Sequence, residues 1–78
     1  MNMLEINEAL NMLMSDTSVP KNVKMKITDM MSELKSNSDV PVVVNKLLNE
    51  LEEISNDINL QPFVRTQIWN ITSMLETI

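Results

Sequence analysis

No glycine, cysteine, histidine or tyrosine occurs among the 78 residues, and phenylalanine, tryptophan and arginine occur once each. Each absence excludes something. Without Cys and His the chain can form neither a disulfide nor the usual zinc site, so no metal or other cofactor is expected, and the missing Cys fits a cytoplasmic protein. Without Gly the left-handed position after a helix falls to Asn, and Asn37 and Asn56 are the residues placed for it. General acid–base work at neutral pH most often uses His. Nucleophilic catalysis needs a base beside an activated Ser, Cys or Lys, and an oxyanion pocket that Gly-containing turns help to build. The chain is therefore not expected to be an enzyme.

Positive charge is scarce as well. Six Lys and Arg face eleven Asp and Glu, a net charge of −5, which argues against broad binding to a phosphate backbone. The longest apolar stretch, Val40 to Val44, is far short of the roughly 20 residues a membrane span requires. No N-terminal basic region precedes an apolar run, so a soluble, unprocessed protein with no membrane contact is expected. One domain over residues 1–78 is all this length allows. Such a chain buries only about 60–65% of its unfolded surface. Its core supplies roughly 3–5 kcal/mol, to which regular helix packing or self-association must add.

What the chain does contain is regular. Pro20, Pro41 and Pro62 fall 21 residues apart. Proline suits the first turn of a helix, where its missing N–H has no partner to lose, so each marks a helix start. Upstream of each lie Ser15-Asp16-Thr17-Ser18, Ser36-Asn37-Ser38-Asp39, and Asn56-Asp57 with Asn59, whose side chains can cap first-turn N–H groups. The pattern predicts four helices, at about Met3–Met14, Pro20–Lys35, Pro41–Ser55 and Gln61–Glu76. Asn2 and Glu5 form an approximate capping box for the first. The apolar stripes are Met3, Ile6, Leu10, Leu13; Val23, Ile27, Met30, Leu34; Val44, Leu47, Leu51, Ile54; and Val64, Ile68, Ile71, Leu75. Val42-Val43-Val44 has strand propensity, but Pro41 opens the run and the helical stripe continues unbroken to Ile54.

Helices one and three share one spacing, and helices two and four another. Asp57, Val64, Arg65, Ile68 and Leu75 stand over Asp16, Val23, Lys24, Ile27 and Leu34, as duplication of a helix–loop–helix unit would leave them. Short loops make sequential helices antiparallel neighbours. The fold expected is all-α, an antiparallel four-helix bundle made of two duplicated helical hairpins. Its core is read as Ile6, Leu10, Leu13, Val23, Ile27, Leu34, Leu47, Leu51, Ile54, Ile68, Ile71 and Leu75.

Three phrases of the sequence also resemble those of a small archaeal group, uncharacterised protein family 0147. They are Asp16-Thr17-Ser18-Val19-Pro20-Lys21-Asn22-Val23, Ile54-Ser55-Asn56-Asp57, and Arg65-Thr66-Gln67-Ile68-Trp69-Asn70-Ile71. The resemblance spans nearly the whole chain and implies a compact all-helical cytoplasmic protein of archaeal type with no assigned activity. The sequence departs from that pattern at Lys24, where Arg is expected, and in its low basic content.

Glu50, Glu52, Glu53 and Asp57 are the one chemical cluster. In an antiparallel bundle the first and third loops share an end, so ion pairs such as Glu53 or Asp57 with Arg65 are expected to neutralise it. Arg65 and Trp69, four residues apart, lie on one helix face. The structural reading of the pair is a seam residue packed against a neighbouring helix and clamped by an ion pair; the functional reading is a hot spot, since both residue types are enriched in binding anchors. The end built by the first and third loops presents Val19, Pro20, Lys21 and Asn22 beside Leu60, Pro62, Phe63 and Arg65, with Trp69 one turn below. The expected partner-binding residues are Pro20, Lys21, Asn22, Pro62, Phe63, Arg65 and Trp69. Self-association would instead use the Met-bearing flank of the first two helices, with Met12, Met14, Met25 and Met31. The function these features suggest is a protein–protein interaction or scaffold module, binding an unknown protein or a second copy of itself. The alternative is a nucleic-acid-associated accessory protein, which the acidic charge disfavours.

Overall fold

A computed structural model describes residues 3–36 and 39–78. They form four helices, α1 (Met3–Ser15), α2 (Lys21–Ser36), α3 (Val40–Ser55) and α4 (Pro62–Glu76), with no strand among the described residues. Every boundary lies within one residue of the sequence expectation. The Val42-Val43-Val44 run is helical. Asp39 caps α3 by accepting from the Val42 N–H at 3.4 Å, and Pro41 occupies the first turn. Gln61 precedes α4 without a side-chain cap bond, and Pro62 removes one donor that would otherwise need a partner. The capping role expected of Asn2 and the left-handed role expected of Asn37 fall outside the described residues.

Asn56 differs from expectation. It is right-handed, with φ −86° and ψ −3°, and no described residue has a positive φ. The chain reverses by other means: α3 tightens into i→i−3 bonds from Asn56 to Glu53 and from Asp57 to Ile54, and Asp57 Oδ1 then accepts the Asn59 N–H at 2.9 Å. A side-chain acceptor two residues back makes the turn without a glycine. The α1–α2 loop has the same design 41 positions earlier. Asp16 N–H bonds Leu13, Asp16 Oδ1 accepts the Ser18 N–H at 2.8 Å, and Val19 N–H bonds Asp16 as Leu60 N–H bonds Asp57.

α1 packs on α2 and α4, and α3 packs on α4 and α2; among the described residues the backbones of the diagonal pairs come no closer than 8 Å between Cα atoms. Between them, among the described residues, lies one cluster of sixteen buried apolar side chains, and no described polar or charged residue is buried with it. Each fully buried Leu or Ile there stabilises the fold by about 1.5–3 kcal/mol relative to exposure. Eleven of the twelve expected core residues belong to the cluster; the twelfth, Leu34, is half-buried against its edge. At the start of α3 the buried valine is Val43, while Val44 is half-buried. Adjacent positions lie about 100° apart around a helix, and in a run of three valines the pattern alone does not choose which faces inward. Val19 and Leu60, expected on the surface patch, are buried at 4% exposure each, closing the core beneath their loops.

Candidate partner-binding surface

The two Asp-built loops come together through Asn22, at the start of α2, whose Nδ2 donates to Asp57 Oδ2 at 3.4 Å. Around that contact Pro20 is half-buried, and Lys21, Asn22 and Pro62 are exposed. Arg65 is half-buried and makes no ion pair with Glu53 or Asp57. Its Nε donates to the Ser55 carbonyl at 3.1 Å and its Nη2 to the Asp57 carbonyl at 3.0 Å. Those carbonyls belong to the last turn of α3 and the loop after it, where helix geometry leaves acceptors unpaired and the dipole favours a cation. Arg65 therefore acts as the C-terminal clamp of α3. Glu53 pairs with Lys26 instead, at 3.3 Å.

Phe63 and Trp69 are 61% and 56% exposed, and they do not share a surface. Six residues along a helix is a rotation of about 240°, so the two rings point some 120° apart. Phe63 overlooks a groove of about 170 Å³ between α1 and α4, with Ala9, Met12, Asp16 and Gln67. Trp69 lines a separate groove of about 330 Å³ between α3 and α4, with Leu48, Glu52, Thr72 and Glu76. The single patch expected at the loop end is thus divided. Gln67 carries no signal in the sequence, and Met12, expected on the self-association flank, lies in the Phe63 groove instead. The Met-bearing flank is divided too. Met30 is core, Met14 and Met31 are half-buried against it in an α1–α2 groove, and only Met12 and Met25 are largely exposed.

Charge follows the same lines. Between α2 and α3, Lys26 pairs with Glu53 and Lys46 pairs with Glu33, each at 3.3 Å. Glu50 lies among these charges, and partial burial pushes its carboxyl above the usual glutamate range. Asp29 and Glu53 add to that rise, while Lys46 and Lys26 oppose it. In the α1–α2 loop the Ser18 hydroxyl, donating to Asp16 at 2.7 Å, holds the Asp16 carboxyl below its ordinary value, helped by the Ser18 N–H. Among the described residues no three carboxylates converge in a way that could hold a metal ion, and no helix is long and apolar enough to cross a membrane.

The sequence profile of an uncharacterised protein family, UPF0147, matches residues 2–78. A UPF0147 protein of Sulfurisphaera tokodaii is 41% identical over 81 aligned positions, covering 99% of this chain and 91% of the relative. One from Archaeoglobus fulgidus is 38% identical over 74, covering 95% and 85%, and one from Methanosarcina acetivorans is 40% identical over 73, covering 91% and 74%. No solved structure matches the chain significantly. With the family profile spanning all but the first residue and archaeal relatives aligned nearly end to end, the chain belongs to the uncharacterised protein family UPF0147.

Proposed function

We propose that this chain is a cytoplasmic, non-catalytic interaction or scaffold module that binds another protein. Its fold is read as one domain, a closed antiparallel four-helix bundle of two duplicated hairpins. The repetition of the loop hydrogen bonds 41 positions apart supports the duplication. Packing of each helix on two neighbours but not on the diagonal supports the closed arrangement. The observation that carries the function is the placement of the only two aromatic residues. A stable fold of this size would normally bury them, and both stand more than half exposed beside grooves. Large aromatic side chains on a surface of mixed charge are the usual anchors of protein interfaces.

The test is capture from an extract of the native organism, analysed by mass spectrometry, with the wild-type chain and with Phe63→Ala/Trp69→Ala. Arg65 is left intact because it clamps α3. A partner retained by the wild type should lose at least about 1–2 kcal/mol of binding to the double variant while the helical circular dichroism is unchanged. Undiminished binding by the double variant would place the interaction elsewhere, and enrichment of nucleic acid in place of protein would replace this reading with the accessory-protein one.

A further inference from the structure

The Trp69 groove has a counterpart of nearly equal size. Between α1 and α2 lies a groove of about 360 Å³ lined by Asn11, Met14, Thr28, Met31, Ser32 and Lys35. Shifting the α3–α4 groove back by 41 residues sets Glu52 on Asn11, Trp69 on Thr28 and Glu76 on Lys35. Two grooves in corresponding places thus have opposite chemistry. In the first, Lys35 supplies a cation, and the Thr28 hydroxyl is engaged with the Lys24 carbonyl at 2.9 Å and the Met14 sulfur at 3.6 Å. In the second, two carboxylates flank an exposed indole, and no lining residue carries positive charge. The one cation on α4, Arg65, is turned to the Ser55 and Asp57 carbonyls.

We infer that the α3–α4 groove receives a Lys or Arg side chain from a basic segment of a partner protein. This specifies the partner for the interaction reading above and rests on it. The face of an indole attracts a cation, best of the three aromatic side chains. Glu52 and Glu76 complement the same charge, and the half-buried Leu48 offers apolar surface for the aliphatic stem. A second copy of the chain is the poorer occupant. It carries the same net charge of −5, and of its six cations Lys26 and Lys46 are already paired and Arg65 is clamped, which leaves three scattered lysines, Lys21, Lys24 and Lys35.

Because Trp69 is the only tryptophan, its fluorescence reports on this groove directly. The intact chain is titrated with a synthetic amphipathic Leu/Lys peptide and with its Leu/Glu counterpart. The basic peptide should give a saturable change in Trp69 emission, and the acidic one none. In Glu52→Gln/Glu76→Gln the affinity should fall at least tenfold with the thermal transition retained, and raising the salt should weaken wild-type binding, as screening requires. In Trp69→Phe, followed by calorimetry, binding should be weaker but present.

No saturable change with the basic peptide, or full affinity in the Gln double variant, overturns the assignment. So does a free polyamine binding as tightly as the peptide, or an emission change that tracks chain concentration and dimer formation without any peptide. A native partner lost by Phe63→Ala but held by Trp69→Ala would also overturn it while leaving the interaction reading intact.

Discussion

The α2–α3 seam and the α1–α4 seam each join one helix of the first hairpin to one of the second, yet one is built of charge and the other mainly of apolar surface. Across the first, Asn22 meets Asp57, Lys26 meets Glu53, and Glu33 meets Lys46, with Glu50 among them. Forty-one residues away, the positions of Asn22, Lys26, Glu50 and Glu53 are held by Phe63, Gln67, Ala9 and Met12, which line the α1–α4 groove beside Asp16. Below both seams the buried stripes are alike, and the two Asp turns share their hydrogen bonds. A handful of positions therefore governs the backbone: the turn aspartates, the apolar loop residues Val19 and Leu60, and one stripe per helix. The positions at the seam edges differ, with ion pairs across the α2–α3 seam and an open groove along the α1–α4 seam.

The largest expected effect tests the part the halves share. Ile27→Ala and Ile68→Ala empty corresponding sites, both fully buried, and each should cost about 2–5 kcal/mol, the range for a packed core. Urea unfolding followed by circular dichroism measures both. Similar losses in one cooperative transition are expected; two transitions would mean that the halves do not share one core, and a loss below about half a kcal/mol at either site would mean that its stripe is off by a face.

A smaller effect tests where they differ. Arg65 and Lys24 are corresponding cations, but only Arg65 reaches carbonyls of the preceding turn. Arg65→Ala should cost about 1.5–3 kcal/mol, the range for hydrogen bonds to a charged group. Lys24→Ala should stay within about 0.5 kcal/mol, as most surface changes do. For a domain of this size each kcal/mol shifts the melting temperature by about 4–8 °C, so the two variants are readily resolved. Equal melting temperatures would show that the clamp contributes nothing.

The four helices and most of the core were legible because proline, polar caps and apolar spacing all act locally, within a turn or two of the residue that carries the signal. What escaped depended on direction in space. Sequence displays charges, which point Arg65 to a carboxylate, and does not display where a helix aims its last carbonyls. Loops are ordinarily on the surface, whereas here each loop tucks one apolar residue, Val19 or Leu60, under an Asp turn. The lack of Gly points to a left-handed Asn56, but the Asp57 side chain removes the need for one. The division of the aromatic patch was the exception. The six-residue interval between Phe63 and Trp69 already contained the rotation that separates them, so counting along the helix was enough to find it.

The smallest effect tests the charged seam through its pH dependence. Burial raises the Glu50 carboxyl, so folding favours its protonated form, and its charge opposes folding at all pH values above the raised value. That penalty is relieved as the pH falls from neutral through the raised value into the ordinary glutamate range. Asp16 behaves oppositely: with its carboxyl lowered by the Ser18 hydroxyl, it stabilises the fold above its ordinary value, and the contribution is lost as the pH falls through the lowered one. Glu50→Gln should therefore be slightly more stable than the wild type at pH 7, by no more than about 0.5 kcal/mol, the usual scale of a surface substitution. The advantage should shrink to nothing toward pH 4. Asp16→Asn should be less stable at pH 7 and converge with the wild type only in stronger acid. Melting curves from pH 7 to pH 3 on the three proteins would resolve the two signs. A Glu50→Gln advantage that grew on acidification would mean that attraction to Lys46 and Lys26 outweighs burial, and that the charged seam holds Glu50 more favourably than water does.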